Sequence, residues 1–494
     1  MYADALASAL TIVMDPSYIL ALSSGVIIGL VIGILPGVGG TVAMALVLPF
    51  VFNMKEAAGL ALVIGAGAIC VTSDTITCVL FGVPGTVSSA STILDGHPLA
   101  KKGEAGRALG AAFMASLMGG LFGATCLTLT LPLARPLILL LGSPEFLMLA
   151  VLGIITVATI GGRTPVKGLV AAGLGMLVSA IGGDPGSAIF RYTCGFYYLY
   201  EGVPLIPFVM GLFAIPEVTE MVIRGTQISE YPKLGKGLIE GFKDALRHIA
   251  LVIKCSGIGV YTGFLPGLGG AVANWFAYGY AAKRCKNSEN FGRGDIRGVI
   301  APESANNAVV GGELIPTLLF GVPGSSMMAI LLGAFLILGI YPGRDMVTTR
   351  LDLTFSMIWS LAMANVLGAA ICMVFVRPLS RITLIPIHYL APFILMVVIL
   401  GAFQTTRHWG DLLVLLGFGG LGWFMKRFGW PRPAMLVGYV LGRIVERYVE
   451  ISVVRYDLEW LLRPGVIIIT CIIVLSIYSG LVWKPQEISR EQRT

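Results

Sequence analysis

Asp74 and Glu313 each stand eight residues before the first glycine of two near-identical segments, Gly82-Val83-Pro84-Gly85-Thr86 and Gly321-Val322-Pro323-Gly324-Ser325. Ser73, Thr75 and Thr77 surround the first carboxylate. Glu303, Ser304, Asn306 and Asn307 lie upstream of the second. All sit in apolar surroundings, where an ionisable side chain is costly and points to a function such as carrying a proton or ligating a cation. Asn306 and Asn307 could ligate Na+, hydrogen-bond a carboxylate, or form a structural interhelical bond. Glu303 has a second reading, as a helix-start residue beside Pro302 that stays near the interface.

A second group of residues could recognise an anion. Leu35-Pro36-Gly37-Val38-Gly39-Gly40 recurs as Leu265-Pro266-Gly267-Leu268-Gly269-Gly270, and the segments at Pro84-Gly85 and Pro323-Gly324 are likewise paired. Pro-Gly interrupts the hydrogen-bond ladder of a helix. At such a break the free N–H groups and the positive end of the next half-helix face outward, which favours an anion. Hydroxyl or amide groups follow every break: Thr41 after the first, Thr86, Ser88 and Ser89 after the second, Asn274 after the third, Ser325 and Ser326 after the fourth. Such groups could hold carboxylate oxygens without burying a fixed positive charge. The plainer account has Gly and Pro kinking packed helices while Ser and Thr back-bond to carbonyls, but the symmetric repetition of four motifs argues against it. Paired, Gly/Pro-interrupted apolar segments at matching places in two halves point to the substrate site of a secondary transporter.

The elements that must hold these groups are apolar helices. Of 494 residues 56% are hydrophobic and 12% charged, with a mean hydropathy of +0.87, whereas a soluble protein carries roughly a quarter charged residues. The chain therefore reads as an all-α polytopic membrane protein. Its net charge of +7 resides in short loops between apolar runs, a topology signal rather than a nucleic-acid surface. The eight cysteines form no CxxC pair, and no Cys/His cluster has metal-ligand spacing. No Lys or Arg precedes Lys55, so no cleaved signal peptide is expected. No nucleophile–base signature or cofactor fingerprint supports an enzyme.

Apolar runs fall at 18–50, 57–95, 108–132, 146–161, 166–182 and 203–222, then at 248–282, 300–341, 353–376, 387–402, 409–424 and 433–448, with one unpaired span at 464–482. The repeat extends to Arg135-Pro136-Leu137 with Arg377-Pro378-Leu379, and to Gly202-Val203-Pro204 with Gly429-Trp430-Pro431. The expected organisation is a first repeat at 1–222, a cytoplasmic connector at 223–247, a second repeat at 248–448, and an extra transmembrane helix with a tail at 449–494. Loops at 97–107 and 161–167 are basic while their counterparts at 341–352 and 403–411 are charge-balanced, and the remaining loop pairs reverse this bias. Equivalent loops thus face opposite sides, which predicts inverted-topology repeats. Segment 248–282 begins and ends beside basic loops, and its length of about 52 Å as a helix exceeds one span. It reads as a hairpin with Pro266-Gly267 near its tip, and 18–50 as its partner entering from the other side. Segments 57–95 and 300–341 read as broken helices, and about four further spans complete each repeat.

At these residues the chain resembles the large membrane subunit of the tripartite tricarboxylate transporter family. The likeness rests on the two LPGxGG motifs, on Gly82-Val83-Pro84-Gly85 followed by Leu94-Asp95-Gly96-His97-Pro98-Leu99-Ala100-Lys101, and on Ala301-Pro302-Glu303-Ser304-Ala305-Asn306-Asn307 leading into Gly321-Val322-Pro323-Gly324-Ser325. The resemblance implies a multi-pass permease of the bacterial inner membrane that takes up carboxylates without a cofactor, driven by a Na+ or H+ gradient. It also implies two partners, a small membrane subunit of about four spans and a periplasmic solute-binding protein. One departure stands out, because Ser73-Asp74 occupies a place where the family pattern has Gly-Gly. A carboxylate there would repel a trianion unless it is protonated or paired with a co-transported cation, which keeps a smaller or monovalent acid open. Two rivals remain at this level: a passive anion channel built from re-entrant loops and a membrane-embedded enzyme using Asp74 or Glu303. A hairpin-bearing part moving in elevator fashion would suit the two hairpins.

Overall fold

In the computed structural model the described residues are 2–35, 37–160, 164–184, 189–224, 235, 237–382 and 387–482. Helix α1 (Tyr2–Val13) precedes Asp15, which caps α2 (Pro16–Ile34) by accepting from the Ser17 amide at 2.9 Å. α3 (Gly39–Val51) and α4 (Glu56–Ser73) follow. Gly25, Gly29 and Gly33 of α2 abut Leu62, Ala66 and Cys70 of α4 in that order, so these helices run parallel. α3 meets α4 in the reverse order, Gly40 beside Cys70 and Gly67, Met44 beside Gly67, and Val51 beside Gly59. α2 and α3 are therefore the arms of a hairpin whose turn is the LPGxGG segment. At its base Lys55 pairs with Asp15 at 2.7 Å, and this bond, with that from Ser17, holds the Asp15 carboxyl down to about 2.

α5 (Thr75–Phe81) continues α4 after a single-residue turn at Asp74. The hydroxyls of Ser73 and Thr77 bond to the carbonyls of Cys70 and Asp74 at 3.2 and 2.7 Å, and such back-bonding competes with the helical ladder here. α6 (Ala90–Lys101) begins beyond the Pro84-Gly85 break, and α7 (Ala105–Leu140) follows. Next come α8 (Ser143–Ile160), α9 (Pro165–Ser179), the antiparallel two-residue strands β1 (Gly182–Gly183) and β2 (Phe190–Arg191), α10 (Leu205–Val209), a π-turn at Met210–Ala214 and α11 (Ile215–Arg224).

α12 (Leu238–Arg247) leads into α13 (Ile249–Phe264) and α14 (Gly269–Arg284). These two are antiparallel, with the Cys255 thiol 3.9 Å from the Ala277 carbonyl. α15 (Arg297–Phe320) lies parallel to α13, Gly259 beside Ala305 and Gly263 beside Val309. The Pro323-Gly324 break separates it from α16 (Ser326–Ile337). α17 (Leu351–Ile382), α18 (Ile387–Phe403), α19 (Trp409–Arg427), α20 (Arg432–Tyr456) and α21 (Pro464–Val482) complete the chain.

Among the described residues five stretches, Pro16–Ile34, Glu56–Phe81, Ala105–Leu140, Leu205–Ile223 and Leu351–Ile382, are long and apolar enough to cross a bilayer, and α20 with α21, bent by 72°, adds a sixth if the pair is one broken span. This is an all-α multi-pass membrane protein. Small residues let its helices touch. Gly119 and Gly123 of α7 lie against the carbonyls of Ser304 and Ala308 on α15, the close backbone approach that drives helix association in lipid.

Three details differ from the reading of the sequence. Arg135-Pro136 and Arg377-Pro378 lie inside α7 and α17 rather than in loops. Proline is tolerated in membrane helices where local adjustment re-satisfies the backbone, and in α17 the turn relaxes at Phe375 (φ −105, ψ 21). α1 was not anticipated, and its Tyr2 ring stacks on Arg135 at 6.0 Å. Helix α12 forms within the polar connector. Of the residues used to assign loop charge, Arg163 lies outside those described.

A side chain at Gly119 would overlap the Ser304 carbonyl, whereas one at Gly173 of α9 meets nothing within 4 Å. Gly119→Leu is expected to cost about 1–3 kcal/mol from overpacking, lowering the melting temperature and the monodisperse yield in detergent. Gly173→Leu should leave both near the parent, and equal behaviour of the two variants would refute this packing.

Candidate substrate and cation site

Each hairpin turn is hydrogen-bonded to the break of its own half. The Gly37 amide donates to the Gly85 carbonyl at 2.9 Å, and the Gly267 amide to the Gly324 carbonyl at 3.1 Å. Gly37, Gly39, Gly267 and Gly269 reach this geometry with φ of 82, 70, 87 and 62°, a left-handed region that a side chain disfavours. Pro36 lies outside the described residues. Pro266, Pro84 and Pro323 stand in the turn and the two breaks.

Contacts also cross between the halves. Thr41 Oγ1 lies 3.0 Å from Ser326 Oγ, and the Asn274 amide donates to the Ser88 carbonyl at 2.8 Å. Gly40 faces Met327, and Gly270 faces Ser88. The N-termini of α3, α6, α14 and α16 are thereby gathered in one region. α3, α6 and α14 start without a side-chain cap, while Ser325 caps α16 through the Met328 amide at 3.4 Å. Thr86 and Ser89 close the first break on itself, with the Thr86 amide 3.1 Å from Ser89 Oγ, and Ser88 Oγ lies 2.7 Å from Thr86 Oγ1.

Each break is also tied to the helix end that precedes it. Thr86 Oγ1 donates to Asp74 at 2.5 Å and Ser325 Oγ to Glu313 at 2.7 Å, each across twelve residues. Gly85 and Gly324 pack against the Cβ atoms of Asp74 and Glu313, so both carboxylates occupy the same place in their halves.

Glu303 is fully buried in the second turn of α15, away from the start of that helix. Thr75 and Ser116 hydroxyls donate to its Oε2 at 2.8 and 3.1 Å, and Thr92 to Oε1 at 2.7 Å. Asn306 donates to the Val71 carbonyl at 2.8 Å. Asn307 donates to Thr72 Oγ1 and Asn365 Oδ1, both at 2.7 Å. Both amides therefore tie α15 to neighbouring helices, yet Oδ1 of Asn306, Asn307, Asn274 and Asp74 is buried without a donor. Ser73, Thr77 and Ser304 direct their hydroxyls at carbonyls of their own turns and join no carboxylate. Among the described residues no Lys, Arg or His pairs with Asp74, Glu303 or Glu313, and no cluster of His, Cys, Asp and Glu has the makings of a metal centre. What the arrangement offers is oxygen: carboxylates, hydroxyls and amide carbonyls that suit a proton or a hard cation.

Residues 19–437 match the tripartite tricarboxylate transporter TctA family. The chain belongs to that family. An uncharacterized 52.8 kDa protein from the TAR-I ttuC' 3' region of Agrobacterium vitis is 30% identical over 426 residues, covering 86% of this chain and 85% of that protein. A second Agrobacterium vitis protein, from the TAR-II ttuC' 3' region, is 32% identical over 192 residues, 39% of this chain and 79% of its own length. No solved structure matches the chain.

Thr92, Ser116 and Asn365 bond to Glu303 and Asn307 but escaped the sequence reading. Ser116 and Asn365 are polar residues in long apolar helices and Thr92 lies in the polar first turn of α6, and their partners lie 187, 58 and 211 residues away. Only Ser116 and Asn365 carried even a faint signal, as polar side chains in the middle of long apolar spans.

Thr86→Val removes a hydroxyl that donates to Asp74 while preserving shape. Leaving a buried acceptor unsatisfied costs about 1–3 kcal/mol, so the melting temperature in detergent should fall, and Ser325→Ala should act alike on Glu313. Thr86→Ser should restore the parent value, and an unchanged melting temperature for Thr86→Val would show that the hydroxyl does not serve the carboxylate.

Proposed function

We propose that the chain is the permease subunit of a binding-protein-dependent tripartite transporter that takes up small organic carboxylates across the bacterial inner membrane, driven by a cation gradient. The observation that carries this reading is the gathering of four half-helix N-termini, three of them uncapped by side chains, around hydroxyl and amide groups. Backbone N–H groups with the positive end of the helix dipole form an anion site that needs no buried arginine. Thr41, Thr86, Ser88, Ser89, Asn274, Ser325 and Ser326 are the side chains that would orient the acid there.

Asp74, Glu303 and Glu313, with Ser73, Thr75, Thr77, Ser304, Asn306 and Asn307, form the coupling region in this reading, for either Na+ or H+. Three buried carboxylates without a cationic partner support it, since an unpaired buried charge is expensive and calls for a proton or a bound cation. The unpartnered Oδ1 atoms of Asp74, Asn306 and Asn307 add oxygens of the kind a hard cation takes. Bringing cation and acid together would also answer the repulsion between Asp74 and a polyanion.

The reading includes two inverted-topology repeats at 1–222 and 248–448, with 223–247 as connector and 449–494 as an extra helix and tail. The parallel α2–α4 and α13–α15 pairs support it, as does the charge at the hairpin bases. The first base carries the Lys55–Asp15 pair, and the second stands among Lys283, Arg284, Lys286 and Arg297. A small membrane subunit of about four spans and a periplasmic solute-binding protein are the partners that the tripartite family supplies.

Uptake of labelled carboxylates into vesicles holding the assembled transporter tests this. Uptake should require a Na+ or H+ gradient, and Glu303→Gln should slow it about tenfold or more, in line with about 1.5–3 kcal/mol for hydrogen bonds to a charged group. Flux indifferent to both cation gradients would refute coupling and return the passive channel.

A further inference from the structure

A cavity of about 1110 Å³ opens between α8, α16 and α20 and reaches Phe320 and Gly321, where α15 ends at its break. Its inner wall is apolar, and Arg344, Arg443, Arg447 and Arg455 line it. Glu201, Asp345 and Glu450 also line it, so guanidinium groups exceed carboxylates by one. Among the described residues none of these four arginines forms an ion pair.

Two of them are positioned by other means. Arg443 donates to the Glu201 carbonyl at 3.1 Å and occupies the space that a side chain on Gly202 (φ 87) would need. The Arg447 guanidinium sits 4.4 Å over the Tyr341 ring. They are four residues apart on α20 and so share one face. Arg432 opens the opposite end of α20, and Lys426 and Arg427 close α19 just before it, so charge-directed topology does not account for arginines at this end. Their heads also line a cavity that leads to the break, which snorkelling to a lipid interface would not produce.

Gly82, the counterpart of Gly321, has the His97 ring against it, as Gly321 has the Pro342 ring. Asp95, on the same helix as His97, accepts from the Tyr278 hydroxyl at 2.9 Å and from the amides of Gly294 and Asp295 at 2.8 and 2.9 Å. In the first half the carboxylate near this glycine is held by protein donors, whereas in the second half the arginines near Gly321 line an open cavity.

We infer that this cavity is a vestibule in which a carboxylate binds to Arg443 and Arg447 before it reaches the breaks. Guanidinium pairs with carboxylate in a bidentate fork, and excess positive charge at the mouth of a cleft concentrates anions. The inference extends the carboxylate reading of the breaks to a second, outer site.

Labelling of arginines with phenylglyoxal, read residue by residue by mass spectrometry on the purified full chain, tests it with citrate and succinate as probes. Either acid should slow modification of Arg443 and Arg447 several-fold while leaving Arg293 and Arg427 unchanged, in the parent and in a Thr86→Val/Ser325→Ala background alike. Protection no greater than at Arg293 and Arg427 would overturn the vestibule. So would protection by phosphatidylglycerol vesicles with none by the acids, which would make the cavity a lipid-headgroup site. In the assembled transporter, Arg443→Gln with Arg447→Gln should raise KM about tenfold or more at unchanged maximal rate, whereas a lower maximal rate at unchanged KM would count against it. Labelling reports on the vestibule even if transport fails, so the outer site and the reading of the breaks stand or fall separately.

Discussion

Backbone polarity at membrane depth must be satisfied within the protein, and the rest of this structure follows from how that is done at four interrupted helices. The amides of Gly37 and Gly267 find the carbonyls of Gly85 and Gly324. Two hairpin turns that would otherwise expose unpaired groups are thereby pinned to two broken helices. That pinning needs glycine, because the turn residues adopt positive φ and a side chain on Gly85 or Gly324 would press on Asp74 or Glu313. It also fixes where the side chains after each break emerge.

The polar interior then sorts into two populations. Around the breaks, hydroxyls and free helix N-termini face one another and remain part-exposed. Behind them, Glu303, Asn306 and Asn307 on α15 are fully buried and reach α4 through α7 and α17. The carboxylates of Asp74 and Glu313 stand at the border, each hydrogen-bonded to a break hydroxyl. Whatever occupies the breaks is therefore one hydrogen bond away from a buried charge.

How much of this was legible in the sequence depended on whether the signal was local. The hairpin turns, the breaks and the equivalence of Asp74 with Glu313 are written in fixed spacings, and the last needs only the count to the next glycine. Glu303 was visible as a carboxylate in an apolar run, but its three hydroxyl partners were not, since they arrive from helices joined only by packing. Helix ends were misjudged at Pro136 and Pro378 because proline terminates helices in water more reliably than in lipid. Arg443 and Arg447 fall at the end of the apolar run 433–448, whereas α20 extends past them to Tyr456.

The two bridges between the halves are not copies of each other. One joins hydroxyl to hydroxyl at Thr41 and Ser326, and the other joins an amide to a backbone carbonyl at Asn274 and Ser88. A duplicated molecule with identical halves and bridges would have two conformations related by a two-fold rotation, of equal free energy, and would rest evenly between them. Unequal bridges remove that degeneracy, and a difference of a few kcal/mol holds the less favoured form to about 0.1–10% of molecules. Two forms of this protein related by exchange of its halves would therefore differ in free energy before any ligand binds.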